Sequence, residues 1–220
     1  MSDGQAGNNR VCITGEIVLG FSYSHEVRRE RFYMAYIRTS RYSGYADVIP
    51  LMVSERLMDA GHDYNGQVVS VNGQFRSYNL REGGWRRLDL FVFVNEIEVL
   101  SNHGDENQVL LEGFLCKKPV YRKTPLGREI ADVLLAVNRP YGKADYIPCI
   151  AWGWNSKVAS RLEVGTAVNI QGRIQSREYE KWLSEGESEI RVAYEVSVSI
   201  LSLRESAEEM PVRTMGCMET

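Results

Sequence analysis

Val168-Asn-Ile-Gln-Gly172-Arg-Ile-Gln-Ser176 is the stretch whose reading decides the fold. Val168, Ile170, Gly172 and Ile174 alternate with Asn169, Gln171, Arg173, Gln175 and Arg177. This is the period of a half-buried β-strand with one polar, basic face, and Tyr179 shares the parity of that face. The pattern recurs as Val69-Ser-Val-Asn-Gly73-Gln-Phe-Arg-Ser77, at an offset of 99 residues. There Val69, Val71, Gly73 and Phe75 point inward, while Ser70, Asn72, Gln74, Arg76 and Tyr78 point outward. Further out, Asn9-Arg-Val-Cys-Ile-Thr-Gly15 matches Asn107-Gln-Val-Leu-Leu-Glu-Gly113, and Ala46-Asp-Val-Ile-Pro50 matches Ala144-Asp-Tyr-Ile-Pro148, both at an offset of 98. Glu96-Ile-Glu-Val-Leu100 matches Ser197-Val-Ser-Ile-Leu201 at 101. So small a drift implies two copies of one domain of ordinary size. Two copies are too few for a solenoid, so each must close its own core.

The chain has 220 residues, 44% of them hydrophobic, enough for two modest cores. Net charge is −3, so any nucleic-acid site must be a local patch rather than a bulk basic field. Residues 9–100 carry 11 Arg, no Lys and 11 acids; residues 107–203 carry 13 Lys and Arg and 11 acids. The four cysteines (Cys12, Cys116, Cys149, Cys217) show no CxxC spacing, and His25, His62 and His103 are scattered. Free thiols in a reducing cytosol are the better reading, and no metal or other cofactor is expected. With no apolar signal segment and no run of membrane-spanning length, the expectation is a soluble, intracellular, cytosolic protein with no membrane partner.

The remaining alternation adds strands. Ile190, Val192, Tyr194, Val196, Val198 and Ile200 form one run, and Leu88, Leu90, Val92 and Val94 begin its counterpart. Gly15 and Gly113 interrupt the first strand of each copy, where a sharply bent barrel strand needs a missing side chain. Pro50 and Pro148 mark an edge, a bulge or a strand end in the third strand. One helix-like piece per copy, Ser54 to about Asp63 and Asn155 to about Glu163, falls between the third and fourth strands. The expected fold is therefore all-β: two tandem OB-folds, five-stranded Greek-key barrels each with a short helix between strands 3 and 4. The expected boundaries are a disordered N-terminus at 1–8, domain 1 at 9–100, a linker at 101–106, domain 2 at 107–203 and a short flexible acidic tail at 204–220. Asp47 and Asp145 recur at the offset and each begins a strand, where a turn or capping role is expected.

In the third strand of the second copy, Ile147, Cys149 and Ala151 share one face; Tyr146, Pro148, Ile150, Trp152 and Trp154 share the other. Tyr121, Tyr141, Tyr179 and Trp182 sit at strand ends or in hairpins, interleaved with Arg122, Lys123, Arg139, Lys143, Arg173, Arg177 and Lys181. Aromatic faces stack on unpaired bases while neighbouring cations follow phosphates. Parity alone leaves open whether Trp152 and Trp154 are such platforms or simply core.

Gly113-Phe-Leu-Cys-Lys-Lys-Pro119, Thr124-Pro-Leu-Gly127, Leu135-Ala-Val-Asn-Arg-Pro-Tyr141, Ala144-Asp-Tyr-Ile-Pro-Cys-Ile-Ala-Trp-Gly153 and Gly172-Arg-Ile-Gln-Ser-Arg-Glu-Tyr179 resemble the bacterial single-stranded DNA-binding protein family, in order and spacing. The resemblance covers residues 107–203 strongly, and residues 9–100 only through the internal repeat. It implies OB-folds that wrap single-stranded DNA without sequence preference, in assemblies presenting four OB domains. Two domains per chain then imply a homodimer, with replication or repair proteins as further partners. It also implies base stacking on Tyr141, Tyr146, Trp152 and Tyr179. Phosphate or secondary contacts fall to Arg139, Lys143, Arg173, Arg177, Lys181, Trp182, Arg122 and Lys123.

The first copy departs from this pattern. Val48 replaces the residue matching Tyr146, and Ser54 the one matching Trp152, while Tyr42, Tyr45 and Tyr78 remain near the other platforms. With Arg76, Arg86 and Arg87 nearby, the expectation is a weaker site with more phosphate contact and less stacking; the alternative is a copy that mainly dimerises. The tail also departs, having no Asp cluster and no terminal Pro-Phe, which fits a specialised paralogue. No GxGxxG, P-loop or HExxH motif is present, so the expectation is a non-enzyme serving DNA replication, recombination or repair. Two rivals remain: an OB-fold primosome-type or scaffold protein working through protein contacts, and a single-stranded RNA binder.

Overall fold

The computed structural model describes residues 7–82, 85–184 and 187–204, with side chains at 80–87 and 183–187 outside the described set. Five strands come first: β1 (Asn9–Val27), β2 (Glu30–Ser40), β3 (Ala46–Ser54), β4 (Val68–Glu82) and β5 (Trp85–Leu100). Six follow: β6 (Asn107–Leu115), β7 (Val120–Lys123), β8 (Glu129–Arg139), β9 (Lys143–Trp152), β10 (Ala167–Ser184) and β11 (Glu187–Leu203), with helix α1 (Trp154–Ala159) after β9.

Each set closes on itself. β1 pairs with both β2 and β4, and a short parallel contact of Leu51 and Met52 with Val92 and Phe93 joins β3 to β5. In the second set β6 pairs with both β10 and β8, and Cys149–Ala151 runs parallel to Val196–Val198. These are the two expected five-stranded barrels, and β7 is an extra edge strand on β8. Inward parity fills them: Ile13, Ile17, Ile37, Ile49, Leu51 and Phe75 in the first, and Leu111, Leu135, Ile147, Ile170 and Ile174 in the second, are essentially inaccessible. At the strand crossings only glycine fits. A Cβ on Gly113 would overlap the Ala136 carbonyl oxygen, and one on Gly15 the Arg38 carbonyl oxygen, so a β-strand could not serve two partners there.

Three expectations change. The piece from Ser54 to Asp63 forms turns, not a helix; α1 is the only helix in this slot among the described residues. Ser54 Oγ accepts from the Arg56 N–H and Asp59 Oδ1 from the Gly61 N–H, so side chains satisfy the amides that a helix would have used. The last strands align at a larger offset than expected, because Gly73 pairs with Val94 but Gly172 with Val198. The second terminal hairpin is thus five residues longer (26 residues from Gly172 to Val198 against 21 from Gly73 to Val94). Apolar alternation cannot distinguish registers that differ by an even number of residues, and a bulge absorbs the odd one. That bulge, opposite Gln171/Gly172, also turns Ile200 outward and Leu201 inward.

The barrels are joined by an antiparallel pairing of Asn9–Ile13 with Asn107–Leu111, centred where Val11 meets Val109, its own repeat counterpart. An approximate two-fold therefore passes through the chain. The segment between the barrels follows it, with Glu106 O accepting from Thr14 N and Asp105 Oδ1 from Ser40 N.

Asp47 and Asp145 do not cap turns. Both are fully buried, and each reaches into the other barrel: Asp47 Oδ1 accepts from the Ser176 N–H (2.6 Å) and Oγ (3.0 Å), Asp145 Oδ1 from the Ser77 N–H (2.8 Å) and Oγ (3.4 Å). Arg41 grips Asp47 through two hydrogen bonds, whereas Arg139 Nε approaches Asp145 at 3.1 Å without an aligned bond. Burial pushes the Asp47 carboxyl up, but Arg41 and Ser176 outweigh it and its pKa falls below the ordinary value. At Asp145 burial prevails over Ser77, Arg139 and Arg76, and the pKa is raised.

A lowered carboxylate pKa contributes stability that is present above the unfolded-state pKa and lost as pH falls through the folded one. Asp47→Asn is therefore expected to cost about 2–3 kcal/mol at neutral pH. Denaturant titrations across acid pH should show the deficit against wild type shrinking as pH drops below the ordinary aspartate pKa; a pH-independent deficit would contradict the charged latch.

Candidate nucleic-acid interface

The outer face of the second barrel is built by parity. On β9, Ile147, Cys149 and Ala151 are buried in the core, so Tyr146, Pro148, Ile150 and Trp152 turn outward. Ile150 is itself covered, leaving Tyr146 and Trp152 as the accessible rings of this strand. Tyr146 is 42% exposed and its N–H donates to Ser77 Oγ of the first barrel (2.8 Å). Trp152 is half-buried, its Nε1–H donating to Ser197 Oγ on β11 (3.1 Å), which fixes the indole plane on the face. Ser197 stands opposite Arg173 of β10 and beside Ile150 of β9, so Trp152 reaches it diagonally, two residues along β9. Trp154 leaves this face, opening α1 with 75% of its surface exposed.

Farther along β10, Tyr179 is 38% exposed, with the Arg177 guanidinium 6.0 Å from its ring centre. Tyr141 lies in the turn Pro140–Gly142 between β8 and β9, at φ 64°, and is almost wholly exposed. That left-handed conformation is uncommon for a residue with a Cβ and holds the ring clear of the sheet. Trp182 lies toward the tip of the β10–β11 hairpin, 66% exposed.

The cations divide. Arg139 and Arg173 stand beside the buried carboxylates of Asp145 and Asp47, the latter at 3.5 Å. Arg122 is bound in a fork to Asp132 (2.7 and 3.0 Å), while Lys143 and Lys123 are exposed at strand ends. Lys181 lies two residues beyond Tyr179, and the side chains of Arg86 and Arg87 lie outside the described residues. Between the rings the face is not basic: Glu195 is buried and accepts from Gln175 Nε2 (2.7 Å).

In the first barrel Val48 is exposed where Tyr146 stands in the second, and Ser54 is buried where Trp152 stands, its hydroxyl donating to Glu30 (2.5 Å). Tyr42, Tyr45 and Tyr78 are exposed, and Arg76 is held over the Phe93 ring, 3.7 Å from its centre. The motifs did not reveal Phe32 and Phe93 on this face. Placing Phe93 needs the register of the last strand, which alternation alone misassigned. Among the described residues no three of His, Cys, Asp and Glu converge as metal ligands. Burial, with Glu106 adding to it, pushes the Cys12 thiol up to about 11.

Five-stranded barrels, the second with a short helix after its third strand, and rings with cations on the outer sheet are the architecture of OB-folds, which bind oligonucleotides or oligosaccharides. Comparison narrows the class. Residues 106–201 match the model of the single-strand binding protein family. The single-stranded DNA-binding protein B of Bacillus subtilis is 41% identical over 81 residues, covering 34% of this chain and 72% of that protein. The chain belongs to the single-strand binding protein family. Single-stranded DNA-binding protein 3 of Listeria innocua is also 41% identical over 81 residues, and the chain spans about half (51%) of its length. Among solved structures, the wild-type single-stranded DNA binding protein from Thermus aquaticus superposes with a TM-score of 0.75 at 20% identity, over 93% of this chain and 96% of that one. This likeness extends the fold over both barrels.

Because Trp152 is half-buried and hydrogen-bonded while Trp154 and Trp182 face solvent, Trp152→Phe should shift the intrinsic emission to longer wavelength. A shift to shorter wavelength would mean that Trp152 is the solvent-facing indole.

Proposed function

We propose that this protein is a non-catalytic, sequence-tolerant binder of single-stranded DNA, acting in replication, recombination or repair in the bacterial cytosol. The observation that carries the reading is the outer face of the second barrel, where Tyr146 and Trp152 are accessible on β9 and Tyr179 on β10, with β11 between the two strands, and Tyr141 projects from the β8–β9 turn. Membership of the family supports the ligand class. Each accessible ring is able to stack on one base, and such stacking is worth about 1–3 kcal/mol whatever the base. Arg177, Lys143, Lys181 and Lys123 are the cations placed to follow the backbone, with Arg122, Arg139 and Arg173 contributing charge from their carboxylate-bound positions. Residues 9–100 and 107–203 act as two domains joined by 101–106, and two chains assemble as a homodimer presenting four barrels. Among the described residues no helix is long and apolar enough to cross a membrane.

Titrating the intrinsic fluorescence with an unstructured thymidine oligomer tests this directly. Quenching with salt-sensitive affinity is expected, and Trp152→Ala should weaken binding by about one stacked base, roughly tenfold. Absence of quenching in the wild-type chain would refute the reading. Competition between DNA and RNA oligomers of equal length decides which sugar is preferred.

Arg86 and Arg87 lie on the β4–β5 hairpin, paired by register with Arg81 and Leu80. Replacing both with Ala should flatten the dependence of log affinity on log salt by about 0.7 per lost phosphate contact. An unchanged slope would take this hairpin off the DNA path.

A further inference from the structure

The corrected register changes what the first barrel presents. Leu51 pairs with Val92 in β3–β5, as Cys149 pairs with Val196 in β9–β11, so Phe93 occupies the place of Ser197. Across the other edge of β3, Phe32 pairs with Ser54 as Ile130 pairs with Trp152. The indole-and-hydroxyl pair of the second barrel, Trp152 with Ser197, is thus exchanged in the first for a hydroxyl flanked by two phenyl rings. The rings lost from the third strand have moved to its neighbours.

These rings are ordered into layers. Phe32 and Phe93 lie 5.9 Å apart, tilted by 37°. The exposed His25 imidazole stacks on Phe32 at 5.2 Å and 13°, and the Arg76 guanidinium lies over Phe93 at 3.7 Å. Gln74 Oε1 accepts from both Arg76 Nε (3.1 Å) and Nη2 (2.8 Å). The guanidinium is therefore oriented by its own strand. A planar imidazole and a planar guanidinium, each backed by a phenyl ring, are surfaces on which an unpaired base stacks.

We propose that the first barrel carries a base-stacking site of its own, formed by His25, Phe32, Phe93 and Arg76, whose ligand is the unpaired nucleobases of a single strand. The proposal rests on the DNA-binding reading above but assigns the first barrel stacking rather than mainly phosphate contact. Continuity with the second-barrel face argues for nucleic acid over an apolar peptide. Arg76 and Tyr78 flank Ser77 on the outward face of β4, and the Ser77 hydroxyl receives the Tyr146 N–H, so the strand that carries Arg76 is the one that meets β9 at Tyr146. Beyond His25 the hairpin tip, residues 26–31, carries three arginines against two glutamates: Glu26 faces Arg31 and Glu30 faces Arg56, while Arg28 and Arg29 form the exposed turn, both at positive φ (51° and 66°). At the opposite margin Tyr36 and Val48 line a cleft of about 450 Å³ against Val192 and Tyr194 of the second barrel.

The test uses the full chain and thymidine oligomers carrying 5-iododeoxyuridine, photo-crosslinked and mapped by peptide mass spectrometry. Adducts are expected at His25, Phe32 or Phe93 as well as on the second barrel. In parallel, a His25→Ala/Arg76→Ala chain should bind a long oligomer about tenfold more weakly per base released, while tryptophan quenching by a short oligomer is retained. Quenching of the wild-type chain with no first-barrel adduct and unchanged long-oligomer affinity in the variant would overturn this site while leaving DNA binding intact, and would point that face to a protein partner. Failure of the wild-type chain to bind any oligomer would overturn both. Crosslinking of the unaltered chain keeps the test decisive if the variant folds poorly.

Discussion

Everything in this molecule is arranged about the pairing of β1 with β6. Val11 meets Val109, the same position of the repeat, so one short antiparallel ladder generates an approximate two-fold within a single chain. The buried carboxylates of Asp47 and Asp145 secure that axis from both sides, each taking a backbone N–H and a hydroxyl from the opposite barrel. An unpaired charge buried there would be costly, and the attendant arginines are what make it tolerable. The same contacts bring β4 of the first barrel against β9 of the second, with Ser77 beneath Tyr146. The joint between the barrels is therefore also the joint between their outer faces.

Around this axis the halves have diverged where the axis does not constrain them. Inward positions, strand-crossing glycines and the paired aspartates are shared. The outer faces are not: the second carries Trp152 fixed by Ser197 with Glu195 buried beside it, the first carries Phe32 and Phe93 under His25 and Arg76. Two of the cations expected to face a ligand, Arg139 and Arg173, also stand beside the latch carboxylates.

Much was legible in the sequence because barrels impose a period of two. The inward sets of β4, β9 and β10, the glycines at the crossings and the proline just before each short parallel contact all follow from local pattern. So did the shared face of Tyr146 and Trp152, although parity left open whether Trp152 is a platform or core. The helix expected after Ser54 failed because Ser54 and Asp59 offer their own oxygens to nearby amides. The final strand was misaligned because alternation looks the same after a shift of two residues, and a bulge conceals the odd step.

By itself, then, the sequence determined that there are two copies of one small barrel, which side chains enter each core short of the final bulge, and which family the second copy belongs to, since these depend on periodicity and on motifs close together in the chain. Only the tertiary structure decided that Asp47 and Asp145 are inter-barrel latches, that Phe93 stands in the place of Ser197, and that His25, Phe32, Phe93 and Arg76 form one layered set. Those relations join residues far apart along the chain through strand register and ring orientation, and neither is encoded in the pattern of any single strand.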